Sequence, residues 1–245
     1  MKVAFTHPGR IGDALYTLPT IRTFYNRDRS VHIDFWTSRY CASLKTLFEV
    51  QDCIDNFYIS ESYVPVHHNM GIQPWRMPID GDYDMIFHLG FKGPPDCALH
   101  EFIAKENGVQ LDSDKIHYDF IVDKKWKGKY IAIAPRGMRT PFGQLFDDVV
   151  NKSHLPVKII GGAGDYRGYG EDCTGLDFLE TLSILHYAKA FVGLMSSQLV
   201  LANAFDMPKL IPWDGVSWPI DHVIYTPNHH YMIWPSVEDI LCEIV

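Results

Sequence analysis

An aspartate follows the first apolar segment of the chain after a short glycine-containing turn. The segment Lys2–His7 leads into Pro8-Gly9-Arg10-Ile11-Gly12-Asp13, and a helical pattern begins near Ala14. A carboxylate at the start of a helix is favoured in its ionised form, so Asp13 is a candidate general base at neutral pH. The same position suits a helix-capping residue, and a purely structural role is the alternative. His7 is a rival candidate for the base.

Two arginines follow a later apolar segment and are suited to a phosphate ligand. Arg136 and Arg139 lie just after the run Tyr130–Ala134. A guanidinium group offers paired hydrogen-bond donors that match the oxygens of a diphosphate. The alternative is that both are ordinary surface arginines.

Two further segments carry weaker signals of ligand binding. Gly161-Gly162-Ala163-Gly164-Asp165 follows the run Val157–Ile160, and its glycines either let a ligand ring lie against the backbone or form a flexible turn. Leu194-Met195-Ser196-Ser197-Gln198 opens a helix, whose first amides and hydroxyls suit a phosphate. A plain serine cap explains this second segment equally well.

No spacing typical of a metal site or of a cysteine nucleophile occurs in the sequence. The pairs His67-His68 and His229-His230 are adjacent in the chain, so their side chains point apart on regular structure. The cysteines are scattered, odd in number and without a Cys-x-x-Cys, which indicates free thiols in a reducing compartment. We therefore expect no metal and no bound cofactor. The cysteines are Cys41, Cys53, Cys97, Cys173 and Cys242.

The polar segments are separated by strands and helices that alternate along the chain. Such alternation predicts an α/β fold with parallel, doubly wound sheets. The predicted strands are Lys2–His7, Val31–Trp36, Asn56–Ile59, Asp84–Leu89, Tyr130–Ala134, Val157–Ile160, Ala190–Leu194 and Lys209–Trp213. Helices are predicted from Ala14, over residues 40–50 and 96–107, up to Val150, after Asp177, over residues 197–205 and after Ser236.

The pattern restarts after a basic run at residues 124–129, so we predict two Rossmann-like lobes, residues 1–123 and 124–245, with a cleft between them. The terminal helix belongs to the second lobe or packs back on the first. Ligands of such sheets bind beyond the carboxyl ends of the strands, where the polar segments lie. Residues 60–81 have no clean period and predict a long loop, a kind of segment that is often functional.

The charge and hydropathy of the chain exclude some classes of function. A net charge of −8 disfavours broad binding to nucleic acid, whose phosphates require a basic surface. The longest apolar stretches are too short to span a bilayer, and the N-terminus has no signal-peptide pattern, so we expect a cytoplasmic protein.

The order of these segments resembles the heptosyltransferase-like family 9 glycosyltransferases. Arg10–Pro19 is similar to the family's opening Gly-Asp motif, and Tyr83–His88 to its Tyr-Asp strand. Ile131–Pro135 is similar to the strand that opens the donor lobe, and Val157–Gly162 to its Gly-Gly strand. The longest match runs from Thr174 to Pro208, so the resemblance covers nearly the whole chain at shortened length.

The resemblance implies the GT-B architecture, with the acceptor in the N-terminal lobe and the nucleotide sugar in the C-terminal lobe. It also implies metal-free, inverting transfer in which Asp13 deprotonates the acceptor hydroxyl and Arg136 or Arg139 neutralises the leaving diphosphate. The expected acceptor-side residues are His7, Arg10, Gly12 and His88. The expected donor-binding residues are Arg136, Arg139, Gly161, Gly162, Asp165, Thr174, Ser196, Ser197 and Gln198.

One departure from the family pattern affects the expected donor. The family's Asp-Ser-Gly-x-x-His signature aligns with Met195–Val200, where only Ser196 is kept. We therefore expect a nucleoside diphosphate sugar other than ADP-heptose, as in a specialised relative such as a phage-encoded enzyme. The expected acceptor is a glycan hydroxyl. The alternatives are a hydroxymethylated base of DNA, which the net charge disfavours, and a degenerate module that binds a nucleotide or glycan without transfer.

Overall fold

The computed structural model describes residues 1–61, 76–90, 95–113, 115–136, 142–166, 168–215 and 229–244. Contacts between these residues form two compact units, the first containing Met1–Phe120 and the second beginning at Ile121. This division lies close to the predicted one between residues 123 and 124. The acceptor and donor roles assigned to the two lobes stay predictions.

The first unit is built around a four-stranded sheet in the order β3-β2-β1-β4, and every strand pair is parallel. The strands are β1 (Lys2–His7), β2 (His32–Ser38), β3 (Asn56–Ser60) and β4 (Met85–His88). The helices are α1 (Ile11–Leu15), α2 (Leu18–Arg27), α3 (Lys45–Phe48) and α4 (Leu99–Glu106), and a 3-10 helix spans Arg39–Leu44.

Aromatic side chains form much of the core of this unit. Phe5 is fully buried on β1 and stacks on Phe87 of β4 with ring centroids 4.9 Å apart. Phe24 of α2 packs edge-on against Phe5 at 5.4 Å. Consecutive residues of β1 and β2 are buried, as expected for strands of a parallel sheet that is covered on both faces.

The helix predicted from Ala14 is divided into α1 and α2. Pro19 lies in the first turn of α2 and has no N–H, so it cannot donate to the carbonyl of Leu15 as a continuous helix requires. The Thr17 hydroxyl donates instead to the Ala14 carbonyl at 2.6 Å. The break leaves α1 only five residues long.

The single helix predicted over residues 40–50 is also different in the structure. Its first part is the 3-10 helix Arg39–Leu44, and only Lys45–Phe48 is α-helical. Leu44, Leu47 and Phe48 are fully buried, so the apolar period that suggested a helix reflects real packing. The 3-10 part follows β2 directly at the carboxyl edge of the sheet.

The end of the predicted long loop packs on the first sheet. Met77 is buried against Ala4 and Trp36, and Tyr83 packs beside them. The Tyr83 hydroxyl accepts from Trp36 Nε1 at 2.8 Å and donates to the buried Asp34 at 2.9 Å. Residues 62–75 of this loop, which include His67 and His68, lie outside the described residues.

A charged cluster joins helix α2 of the first unit to the segment around Asp119, near the end of that unit. Arg22 on α2 donates to Asp119 Oδ2 at 2.7 Å and to Asp52 Oδ1 at 2.6 Å. Asp119 Oδ2 also accepts from the backbone N–H of Asp52 at 3.1 Å. Burial alone would raise the pKa of Asp119, but these hydrogen bonds and the Arg22 charge lower it on balance.

The second unit is built around a six-stranded parallel sheet in the order β10-β9-β8-β5-β6-β7. The strands are β5 (Ile131–Ala134), β6 (Val157–Gly161), β7 (Glu171–Thr174), β8 (Ala190–Gly193), β9 (Lys209–Trp213) and β10 (His229–Ile233). The helices are α5 (Gly143–Lys152), α6 (Phe178–Tyr187), α7 (Ser197–Ala202) and α8 (Val237–Cys242), and a 3-10 helix spans Lys124–Trp126.

Two predicted helix starts in this unit are confirmed by their capping bonds. Asp177 accepts from the backbone N–H of Glu180 at 2.8 Å at the start of α6. Ser236 and Asp239 form a reciprocal capping box at the start of α8. Val237 and Ile240 of α8 lie in the core of the second unit, so the terminal helix packs there.

The expected class of fold, α/β with doubly wound parallel sheets, is confirmed in both units. Within the described residues, the structure contains no helix with the length and apolar character that crossing a membrane requires.

Candidate functional site

Each sheet has one point where the winding of the chain reverses, and the predicted site residues follow the strands at these two points. In the first unit β1 pairs with β2 on one side and with β4 on the other. In the second unit β5 pairs with β6 on one side and with β8 on the other. Ligands of doubly wound sheets bind beyond the carboxyl ends of the strands at such points.

Asp13 lies in the first turn of α1, close behind the carboxyl end of β1. The capping position belongs to Arg10, whose side chain makes no capping bond, so the expectation that Asp13 occupies the cap position is wrong. Asp13 is the third residue of the helix and is half-buried. The positive end of the helix dipole still favours its ionised form.

His7 is fully buried at the end of β1 and is poorly suited to act as a base. Its Nδ1 accepts a hydrogen bond from the backbone N–H of Gly9 at 3.1 Å, which places the ring proton on Nε2. Burial lowers the pKa of His7 from 6.5 to about 3. Taking up a proton would therefore break the bond to Gly9 and bury a charge. The neutral ring of His7 is thus held as an acceptor for the backbone of Gly9.

Cys41 contacts the other backbone group of Gly9, its carbonyl. Its thiol donates to the Gly9 carbonyl with the sulfur 3.0 Å from the oxygen. Burial raises the pKa of Cys41 to about 11, and the negative charge of Asp13 adds to this shift. The thiol is therefore protonated at neutral pH and lies within the electrostatic reach of the candidate base.

The other acceptor-side residues surround the same switch point. His88 follows Phe87 at the end of β4 and is paired in register with Thr6. The hydroxyl of Thr6 and Nδ1 of His88 are 2.9 Å apart and share a hydrogen bond. Arg10 is exposed, and Gly12 lies in the first turn of α1.

Arg136 lies just after β5 with 70% of its side chain exposed. Its Nη1 donates to Asp165 Oδ1 at 3.1 Å, across the ends of the neighbouring strands β5 and β6. The guanidinium group faces solvent, whereas only 13% of the Asp165 side chain is exposed. The second predicted arginine, Arg139, lies outside the described residues.

The glycines after β6 serve the loop itself. Gly161 has a φ of +145°, and a Cβ at this position would lie 2.5 Å from Asp165 Oδ2. The same carboxylate oxygen accepts from the N–H of Gly162 at 2.7 Å. Asp165 therefore lies over the backbone of Gly161 and bonds the next amide of the loop. The ligand-ring and flexible-turn interpretations of this segment both stay predictions.

Four predicted polar residues lie at the end of β7 or after β8, at the same edge of this sheet. The Thr174 hydroxyl donates to Asp172 Oδ1 at 2.8 Å. Ser196 occupies the N-cap position of α7 but makes no capping bond, so the plain serine-cap explanation fails. Its hydroxyl oxygen is buried and has no hydrogen-bond partner among the described residues. Ser197 Oγ lies 3.1 Å from Oε1 of Gln198.

Cys41 and Asp172 were missed as site residues in the sequence. Cys41 counted only as a free thiol, because its partner Gly9 is 32 residues away and the contact depends on the pairing of β1 with β2. Asp172 lies in a strand too polar to be predicted. Within the part of the chain that the structure describes, no group of three or more His, Cys, Asp or Glu side chains is arranged to hold a metal ion.

Comparison with known proteins shows similarity in structure only. No protein-family model matches the sequence, and no curated protein matches it. The fold is similar to that of a family 9 glycosyl transferase from Veillonella parvula, with a TM-score of 0.68, 11% identity, and 95% of this chain and 85% of that chain covered. It is also similar to the heptosyltransferase WaaC of E. coli with ADP-2-deoxy-2-fluoro heptose, with a TM-score of 0.64, 13% identity, and 98% and 96% covered.

A third similar structure is the ADP-heptose lps heptosyltransferase II of E. coli, with a TM-score of 0.64, 12% identity, and 100% of this chain and 97% of that chain covered. At such low identity these matches show the fold. They confirm that the chain has the GT-B-like fold expected from its resemblance to the family 9 glycosyltransferases.

Proposed function

We propose that this protein is a glycosyltransferase that moves a sugar from a nucleoside diphosphate donor to a hydroxyl group, with inversion and without a metal. One observation carries the proposal. In a fold shared with glycosyltransferases, the segments at the two switch points hold a carboxylate, Asp13, and an exposed guanidinium group, that of Arg136.

Asp13 is proposed to activate the acceptor. The carboxylate takes the proton of the acceptor hydroxyl as the hydroxyl oxygen attacks the anomeric carbon of the donor. Support comes from its place in the first turn of α1, where the helix dipole keeps it ionised. The neutral, hydrogen-bonded ring of His7 leaves Asp13 as the better base.

Arg136 is proposed to receive the leaving group. As the new bond forms, the bond between the anomeric carbon and the phosphate oxygen breaks, and the nucleoside diphosphate leaves with an added negative charge. A guanidinium group stabilises this charge in the way that a metal does in other transferases. Arg136 can supply it by exchanging the carboxylate of Asp165 for a phosphate oxygen.

The donor is proposed to be a nucleotide sugar other than ADP-heptose, and the acceptor a glycan hydroxyl. The segment Met195–Val200 lacks the aspartate and the histidine of the family signature. Ser196 remains, with a buried hydroxyl that has no partner among the described residues. A donor that offers different groups to this segment fits its changed side chains better.

The proposal is tested by measuring the release of nucleoside diphosphate from a panel of nucleotide sugars with glycan acceptors. We expect release that depends on an acceptor. Asp13→Asn should lower kcat by about 10²- to 10⁴-fold and leave donor affinity unchanged, because general-base catalysis contributes this much and the amide keeps the shape of the side chain. The matched control is Asp96→Asn, an exposed carboxylate of the same unit that pairs with Lys105.

The outcomes separate the proposal from its alternatives. Full activity in Asp13→Asn would contradict the role of Asp13. Donor binding without turnover in the wild type would indicate a non-catalytic binding module. Ligands that bind the folded protein raise its Tm, so a thermal-shift screen of the same panel identifies the donor before any acceptor is known.

A further inference from the structure

The turn between β1 and α1 has little local structure to hold it in place. Helix α1 has five residues, and Arg10 at its N-cap makes no side-chain capping bond. A helix this short is marginal without external contacts, and an absent cap removes about 1 kcal/mol of the usual stabilisation of a helix start. The position of Asp13 must therefore be fixed by contacts from outside α1.

Two buried side chains hydrogen-bond the backbone of Gly9 in this turn, one at its N–H and the other at its carbonyl. His7 Nδ1 accepts from the Gly9 N–H at 3.1 Å, and the Cys41 thiol donates to the Gly9 carbonyl with the sulfur at 3.0 Å. Both side chains are fully buried. Gly9 precedes Arg10, whose carbonyl accepts the first helical hydrogen bond from Ala14 at 2.9 Å.

The side chains of His7 and Cys41 are themselves held in place by strands β1 and β2. His7 is the last residue of β1 and is paired in register with Thr37 of β2. The Thr37 hydroxyl donates to the His7 carbonyl at 2.8 Å. Cys41 follows β2 in the 3-10 helix, which packs against α1. The two hydrogen bonds to Gly9 therefore come from residues that β1 and β2 position beside the switch point.

We propose that His7 and Cys41 are positioning residues that fix the backbone of Gly9 on both sides of its Cα and thereby place Asp13 for its reaction. This inference rests on the proposed function of Asp13. The protonation states fit the geometry, because a neutral imidazole leaves Nδ1 as an acceptor and a protonated thiol is a donor. The charge of Asp13 contributes to the raised pKa of Cys41, so the side chains that bind Gly9 and the candidate base belong to one cluster.

The test compares Cys41→Ala, which removes the donor, with Cys41→Ser, which keeps one. The matched control is Cys53→Ala, because Cys53 is another buried thiol of the same unit and makes no hydrogen bond to Gly9. We expect Cys41→Ala to lower kcat about tenfold with donor KM unchanged, as for the loss of one or two hydrogen bonds. Cys41→Ser should recover most of the rate, and Cys53→Ala should match the wild type.

A double-mutant comparison shows whether Cys41 acts through Asp13. If it does, Cys41→Ala costs no further activity in the Asp13→Asn background. An equal loss of rate in both backgrounds would overturn the proposal.

Amide hydrogen exchange tests whether these hydrogen bonds hold the turn in place, without any measurement of activity. We expect exchange in residues 8–16 to be about fivefold faster in Cys41→Ala and unchanged in Cys53→Ala. Unchanged exchange in Cys41→Ala would overturn the proposal even if the protein is an active transferase. If the wild type turns over no donor, the proposed function fails. The exchange comparison alone then decides whether Cys41 holds the turn at residues 8–16 in place.

Discussion

The histidine at the end of β1 makes the folded protein sensitive to acid. The pKa of His7 is about 3 in the folded state and near 6.5 when the chain unfolds. Between these values the unfolded chain binds a proton that the folded protein does not, so stability is complete above pH 6.5 and falls as the pH decreases. The loss is about 1.4 kcal/mol for each pH unit below 6.5.

We therefore predict that the wild type loses about 2 kcal/mol more than His7→Gln between pH 6.5 and pH 5. The glutamine does not titrate, and its carbonyl can still accept from the Gly9 N–H. Urea unfolding at the two pH values measures the difference. Parallel losses in both proteins would show that His7 is not held neutral by burial.

Gly161, at the end of β6, has two reasons to be glycine: its positive φ and the close approach of the Asp165 side chain. Gly161→Ala forces a methyl group against Asp165 Oδ2 and strains a φ of +145°. We predict a loss of about 2 to 4 kcal/mol in the free energy of unfolding.

Gly164→Ala is the control for this prediction. Gly164 also has a positive φ, of +92°, but a Cβ there meets no atom within 4 Å. Its loss should be about 1 kcal/mol, from the backbone alone. Equal losses in the two variants would show that the contact with Asp165 does not matter.

At the scale of single residues, the sequence identified side chains better than their roles. Asp13 could be predicted as a base because its motif has a recognisable spacing. The partnership of His7 with Gly9 could not, because a histidine at the end of a strand looks the same whether it titrates or binds a backbone amide. The need for glycine at position 161 could be predicted from the sequence, but its contact with Asp165 could not, because that contact depends on the conformation of the loop.

At the scale of elements, the cluster around Arg22 ties α2 to the last segment of the first unit. Asp119→Asn removes the charge that Arg22 faces and leaves a partly buried guanidinium group with a weaker partner. We predict a loss of about 2 kcal/mol in stability at pH 7, measured by urea unfolding.

The pH dependence of this variant checks the cause. The pKa of Asp119 is 3.8 when the chain unfolds and lower in the folded state. The contribution of Asp119 to stability is therefore fully present above pH 3.8 and is lost as the pH falls through the folded pKa. The gap between the wild type and Asp119→Asn should therefore close in strong acid. Asp96→Asn, in the exposed pair with Lys105, should leave stability unchanged within experimental error.

Strands with an apolar run could be predicted from the sequence, and two polar or isolated strands could not. Edge strand β7 has the sequence Glu-Asp-Cys-Thr, which offers no period to detect. Edge strand β10 begins with two histidines. Both are formed by pairing with a neighbour, a long-range contact that local patterns do not contain. The division between α1 and α2 was missed although Pro19 was visible, because the apolar spacing continues across the break.

At the scale of the whole molecule, the acidic charge argues against DNA as the acceptor. Binding to DNA depends on the neutralisation of phosphates by a basic surface, and the chain carries a net charge of −8. We predict no retention of double-stranded DNA, with or without hydroxymethylated bases, in a mobility-shift assay at about 150 mM salt. Retention that weakens steeply with added salt would restore the DNA alternative.

The architecture was predicted from the order of short motifs, although no family model matches the chain. Identities of 11 to 13% to proteins of the same fold show how little sequence the fold itself requires. Buried strands, crossover helices and glycine turns at the strand ends recur in each lobe, and many sequences satisfy them. The donor sugar does not follow from the fold, because specificity depends on individual side chains.

The pairing of Arg136 with Asp165 has a consequence for how an anion would arrive. The cation is already matched by an internal carboxylate, so an incoming diphosphate swaps places with that carboxylate instead of meeting a bare positive charge. Asp165 loses nothing essential in the swap, because the Gly162 amide continues to hold it. Few counterions are then released to the solvent, and affinity for such a ligand should vary only weakly with ionic strength.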